Sequence, residues 1–197
     1  IDIIFISSPT SNHIRFIEEA VLYKKIIFCE KPLDLNLTKV KKTIKKLKKK
    51  ISNIQLGFNR RYDPGHYDLK KLLLKNKIGR LEKITITSRD PAPPSINYLR
   101  TSGGIFKDMM IHDFDLCRFY LENDEVSQIY ANTSSFTKFY NKINDYELAS
   151  VIMKSKKGVL CSITNSRHSA YGYDQRVELF GSKGMLISGN KKMNESE

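Results

Sequence analysis

The chain contains three cysteines, and Cys29, Cys117 and Cys161 stand far apart, each beside apolar residues and without CxxC spacing. That pattern argues against a zinc-ligand set or a disulfide framework and fits a reducing compartment, so a cytoplasmic setting and no metal site are expected. No apolar run approaches the roughly 20 residues that cross a bilayer, so no membrane partner is expected. No GxGxxG occurs, and with it goes the glycine-rich loop that cradles a dinucleotide pyrophosphate. Nor does the chain begin with methionine; Ile1 opens inside an apolar run, and the expectation is a fragment of a longer protein.

Acidic residues are scarce, 21 against 34 Lys and Arg, giving a net charge of +13 over 197 residues. The location of the excess decides its meaning. Eight lysines fall between Lys39 and Lys50, and without them the net charge is +5. In the same segment Leu37, Val40, Ile44, Leu47 and Ile51 step by three and four residues, one apolar stripe on a helix whose other face is lysine. No aromatics interleave with these lysines, which favours a solvated helix face over a nucleic-acid surface. A composition 40% apolar and 28% charged describes a globular chain, long enough for one large or two small domains.

Residues 1–7 are mostly apolar and β-branched, a buried strand ended by Ser8-Pro9. Ser11 or Asn12 is placed to cap a helix running to Lys24. A second strand over 26–29 stops at Glu30-Lys31-Pro32, the lysine helix follows, and 54–58 reads as a third strand. This alternation predicts parallel βαβ units, whose ligands sit beyond the strands' carboxyl ends, here Ser7-Ser8-Pro9, Glu30-Lys31 and Asn59-Arg60-Arg61. After a helix over 63–76, the pattern changes near Leu81 to strand-like runs at 81–89, 126–136, 146–154, 159–165, 176–180 and 185–188, joined by turn signals such as Gly181-Ser182-Lys183-Gly184. The fold class expected is α/β over 1–80 followed by a mostly antiparallel α+β domain over 81–197, with the last eight residues frayed.

One stretch, residues 102–115, gathers reactive groups. Two glycines lead into a helical pattern in which, at about 100° per residue, Asp108, His112 and Asp115 share one face while Met110, Ile111, Phe114, Cys117 and Leu121 share the other. A carboxylate one turn before a histidine can fix its tautomer and raise its basicity, which suits proton abstraction near neutral pH. The same spacing also describes an ordinary surface histidine with helix ion pairs.

Glu30-Lys31-Pro32 at a strand's end, with Asp108 and His112 some eighty residues on, resembles the glucose-fructose oxidoreductase and inositol dehydrogenase (Gfo/Idh/MocA) family over essentially the whole chain. Gly57-Phe58-Asn59-Arg60-Arg61-Tyr62-Asp63, Ser88-Arg89-Asp90-Pro91-Ala92-Pro93-Pro94 and Tyr171-Gly172-Tyr173-Asp174-Gln175-Arg176 resemble its inositol-dehydrogenase branch. The resemblance implies the second half of a Rossmann domain over 1–80, then a domain that binds substrate and mediates oligomerisation, commonly into homotetramers. It implies NAD as cofactor in preference to NADP, a small polyol or sugar as substrate, and a cis Lys31–Pro32 bond. His112 is then the acid/base, Asp108 its orienting partner and Lys31 the cation touching nicotinamide ribose and reacting hydroxyl. Ser8, Pro9, His13, Glu30 and Lys31 match cofactor contacts, and Asn59, Arg60, Asp115, Tyr171 and Tyr173 match substrate positions. His66 and His168 receive no role. A related sugar dehydrogenase and a non-catalytic piece without cofactor affinity are the alternatives, and the missing phosphate loop belongs in sequence preceding Ile1.

Overall fold

Three short β-branched runs build the first sheet: β1 (Ile3–Ile6), β2 (Ile26–Cys29) and β3 (Ile54–Leu56), parallel and in the order β1-β2-β3. These come from a computed structural model that describes residues 1–48 and 53–190. Helices α1 (Thr10–Leu22) and α2 (Leu37–Leu47) make the crossovers. Ile6, Ile17, Ala20, Val21, Ile27, Cys29 and Leu47 form one buried cluster between sheet and helices. Among the described residues β1 is an edge strand, with Phe5 exposed.

Two helix readings change. α1 starts at Thr10, with Pro9 in the capping position and no side-chain cap, so Ser11 and Asn12 lie inside the first turn. In α2 the buried residues are Thr43 and Leu47, whereas Leu37 and Ile44 are exposed, so the apolar stripe only partly faces the core. Asn36 caps this helix through the Lys39 N–H, and Lys45 and Lys46 occupy the last turn, where cations suit the helix dipole. Ile51, Lys49 and Lys50, and the tail beyond Asn190, lie outside the described residues.

Contacts divide the chain into units 1–59 and 60–197, not at Leu81 as the change of pattern suggested. The helix α3 (Pro64–Leu74) belongs to the second unit because Leu69 enters that unit's core and the Tyr120 hydroxyl bonds the His66 carbonyl. Pro64 in the first turn and Asp63, whose carboxylate accepts from Gly65 and His66, start it.

In the second unit follow β4 (Leu81–Arg89), α4 (Ile96–Ser102), α5 (Gly104–Asp108), α6 (Ile111–Leu121), β5 (Val126–Ser134), α7 (Lys138–Ile143), β6 (Leu148–Ser155), β7 (Leu160–Ser166), β8 (Asp174–Gly181) and β9 (Gly184–Ser188). The sheet order is β5-β6-β7-β4-β8-β9, antiparallel except where β4 runs parallel to β7. Inward residues alternate along the strands: Ile84 and Ile86, Val151 and Met153, Cys161 and Ile163, Val177 and Leu179 meet Met110, Leu116 and Tyr120 in one core. The Cys117 and Cys161 thiols hydrogen-bond there, and both cysteines are reduced. No helix among the described residues is long and apolar enough to cross a membrane.

Candidate active site

In the first unit, parallel register brings the ends of β1 and β2 together, and the Glu30 N–H donates to the Ile6 carbonyl at 2.9 Å. Ser7-Ser8-Pro9 and Glu30-Lys31-Pro32 therefore leave the sheet side by side, as strand-end sites should. The Lys31–Pro32 bond is cis. Gly57, after β3, faces the Glu30 carboxylate, and a Cβ there would stand 3.1 Å from it. The absent side chain is what lets that carboxylate lie against the backbone. Burial, then the adjoining Glu30 charge, pushes the Cys29 thiol up to about 11.

His13, matched to a cofactor contact, lies between the two strand ends. It is 1% exposed, with Nδ1 2.8 Å from the Pro32 carbonyl oxygen and Nε2 2.8 Å from that of Ser8. Both partners are carbonyl acceptors, and the ring N–H is donated to one of them while the other nitrogen packs against the second. Neither nitrogen is left to face a cofactor. His13 clamps the two strand ends through its ring nitrogens. Asn59, the last residue of this unit, is exposed.

In the second unit the parallel pair β4–β7 places Ser88-Arg89-Asp90 beside Asn165-Ser166-Arg167, and antiparallel β8 begins at the same edge, Arg89 opposite Asp174. Around this edge lies a buried network that the sequence did not reveal. Asp113 has no exposure, and its Oδ1 accepts from Arg60 Nη1 and, at 2.7 Å, from the Ser88 hydroxyl. Asn165 Nδ2 donates to Oδ2 at 2.7 Å. Arg60, matched to a substrate position, thus spends one guanidinium nitrogen on Asp113 and Ser88. Asp115, also matched to substrate, is held bidentate by Arg61 at 2.6 Å on each oxygen. Such pairing positions both residues firmly and occupies the groups expected to meet the ligand.

The single helix expected through Asp108 and His112 is broken. α5 ends at Asp108 and α6 starts at Ile111; Met109 and Met110 keep helical dihedrals, but the Met110 N–H reaches back five residues to the Ile105 carbonyl at 2.8 Å. This one wide turn shifts the phase of the wheel between Asp108 and the residues after it. Within α6, Asp113 and Asp115 are both buried although they flank Phe114. Asp108 is buried as well and accepts from the Tyr98 hydroxyl at 2.6 Å and from Arg167 at 2.9 Å.

Tyr171 and Tyr173 lie in the turn before β8 rather than on a strand, and both are exposed. Tyr171 bonds Arg89 and Asp174, and Tyr173 reaches Gln175 at 3.4 Å. Burial opposes ionisation of Asp174, yet hydrogen bonds from Tyr171 and Arg176 hold its carboxyl below the usual range. Burial pushes the Asp90 carboxyl the other way, against the pull of Arg167 and Arg60.

Residues 66–187 match the GFO/IDH/MocA C-terminal domain, and residues 1–58 match the NAD-binding Rossmann fold of the same oxidoreductase family. The chain belongs to the Gfo/Idh/MocA oxidoreductases. It is 43% identical over 191 residues to a myo-inositol 2-dehydrogenase of Thermotoga maritima, covering 96% of this chain and 57% of that protein. A myo-inositol dehydrogenase structure from Corynebacterium glutamicum superposes with a TM-score of 0.93 at 43% identity, over 100% of this chain and 59% of that one. A scyllo-inositol dehydrogenase from Lactobacillus casei, with NAD(H) and scyllo-inositol bound, gives 0.86 at 31% identity over 95% and 57%. The chain thus spans under two thirds of the length of each of these relatives.

Replacing Asp113 by Ala leaves the Arg60 guanidinium and the Asn165 amide without their acceptor. The expected loss is about 3 to 5 kcal/mol of unfolding free energy in the second unit, read by denaturant titration, because breaking a buried pair strands its partner. A loss below about 1 kcal/mol would show that the network carries no stability.

Proposed function

We propose that the chain is part of an NAD-dependent dehydrogenase that oxidises a secondary hydroxyl of a cyclic polyol, with myo-inositol at its 2-position the best-supported substrate. The observation that carries this reading is the combination of Glu30-Lys31-Pro32 at the end of β2 with Asp108 and His112 across the α5–α6 turn. The names of the inositol dehydrogenases cited above support the same substrate class.

The first unit fits the nicotinamide end of such a cofactor. Its strand ends are polar, and the Gly57 position is open enough for the Glu30 carboxylate to lie flat on it. Ser8, Pro9, Glu30 and Lys31 would hold that end, with NAD favoured over NADP. When bound, NAD supplies the hydride acceptor. His112 takes the hydroxyl proton, Asp108 orients the imidazole, and the Lys31 ammonium favours the negative charge that develops on the oxygen. Asn59, Tyr171 and Tyr173 offer donors and acceptors to the remaining hydroxyls, while Arg60 and Asp115, fixed by Asp113 and Arg61, shape the pocket.

Tyr130, Ile152, Leu160, Phe180, Met185 and Ile187 are exposed and register onto the outer face of the six-stranded sheet. An open apolar face of this kind supports a homo-oligomer, a tetramer in full-length form. Light scattering should report that assembly, and Ile152→Lys with Phe180→Glu should reduce it to smaller species; a wild-type monomer would remove the proposal.

Kinetics on the full-length protein test the chemistry. His112→Ala should lower kcat on myo-inositol by about 10²-fold to 10⁴-fold, and Asp108→Asn by about 10-fold to 10³-fold. Near-normal turnover in His112→Ala would take histidine out of the mechanism.

A further inference from the structure

Arg167 follows β7 directly and is 1% exposed. Its Nη1 donates to Asp108 Oδ2 at 2.9 Å and its Nη2 to Asp145 Oδ2 at 3.4 Å. Asp145 in turn is tied to the start of α5. It accepts the Ile105 N–H at 2.9 Å, and a Cβ at Gly104, where φ is +81°, would meet its Oδ1 at 3.0 Å. Asp108 closes the other end of α5 and accepts on Oδ1 from the Tyr98 hydroxyl at 2.6 Å. A single buried arginine therefore holds both ends of a helix of five residues.

We infer that Arg167 and Tyr98 are positioning residues for the acid/base pair: they fix the Asp108 carboxylate with one donor on each oxygen, and the Arg167 charge limits how strongly that carboxylate favours a proton on His112. This rests on the roles of Asp108 and His112 proposed above. A carboxylate by itself raises the proton affinity of an adjacent imidazole; one shared with a guanidinium does so less. Tyr98 is suited to its part, since burial and then the bond to Asp108 push its phenol far above the ordinary range and keep it a donor. Other charged and titratable groups face this cluster. Asp90 comes from the end of β4, Tyr140 from α7, and Glu147 with His168 form a pair at 2.9 Å beside Arg167. Among them Arg167 is the cation bonded to both buried carboxylates.

A positioning role predicts a change in proton affinity, which a purely structural role does not. The experiment follows the imidazole resonances of the full-length protein through a pH titration, with the His112 signal assigned by its loss in His112→Gln. Arg167→Met removes the cation and should move the His112 midpoint upward by about 0.5 to 1 unit. The acid limb of the kcat/KM profile on myo-inositol should move the same way. Arg167→Lys keeps the charge and should restore most of the shift. Tyr98→Phe, which deletes one hydroxyl at a part-exposed site, should give a smaller upward move and decides the matter if Arg167→Met does not fold. An unchanged midpoint in Arg167→Met, or in Tyr98→Phe where only that variant folds, would overturn the inference. The titration needs no substrate, so failure of the wild type to oxidise myo-inositol would count against the proposed substrate and not against Arg167.

Discussion

The second unit depends on a carboxylate with no contact with water. Asp113 sits in α6, between residues that pack the core, and its charge is tolerable only because a guanidinium, a hydroxyl and an amide all donate to it. Those donors come from the start of the unit, from β4 and from β7. The bonds tie the parallel strand pair to the helix above it and fix the edge where Arg89, Asp90, Arg167 and Asp174 emerge. Asp108 with Arg167 and Asp115 with Arg61 repeat the device, each acid on the α5–α6 path answered by an arginine from elsewhere in the unit. Three such pairs around one broken helix specify its position more sharply than apolar packing can, because each misplacement would leave a buried charge unanswered.

The first unit meets a similar problem with fewer groups, a histidine ring and a glycine beside a carboxylate. Two strand ends must be held in register where the β1–β2 pairing stops at Ile6 and Cys29. His13 does this by placing one ring nitrogen against each loop, and Gly57 by yielding its side-chain space to Glu30. Lys31 is therefore carried by a turn anchored on both sides.

Local pattern was enough for most of the elements. The strand runs after Leu81 fall within two residues of the observed strands at nearly every end, since turn residues and alternation are local signals. The long-range pairings were not legible. Arg60 and Asp113 are 53 residues apart, and Arg167 and Asp108 are 59 apart, so no spacing rule connects them. The wheel through Asp108 and His112 assumed an unbroken helix and so missed both the wide turn at Met110 and the burial of Asp113. The change of pattern near Leu81 falls after α3, which resembles a crossover helix in sequence and whose packing through Leu69 puts it with the second core. The family motifs singled out Glu30, Lys31, Asp108 and His112, which no single segment could have done, but gave no sign that the His13 ring bridges the Ser8 and Pro32 carbonyls.

In the function we propose, Lys31 and the His112–Asp108 pair supply what oxidation of a secondary alcohol requires, with NAD as the hydride acceptor. Following isotope from substrate to cofactor tests this most directly. The full-length protein would be given NAD and myo-inositol deuterated at C2, and the NADH formed would be examined by mass spectrometry. The account predicts NADH carrying one deuterium, formed more slowly than from unlabelled substrate when the chemical step limits the rate. Unlabelled NADH, or none at all, would contradict it.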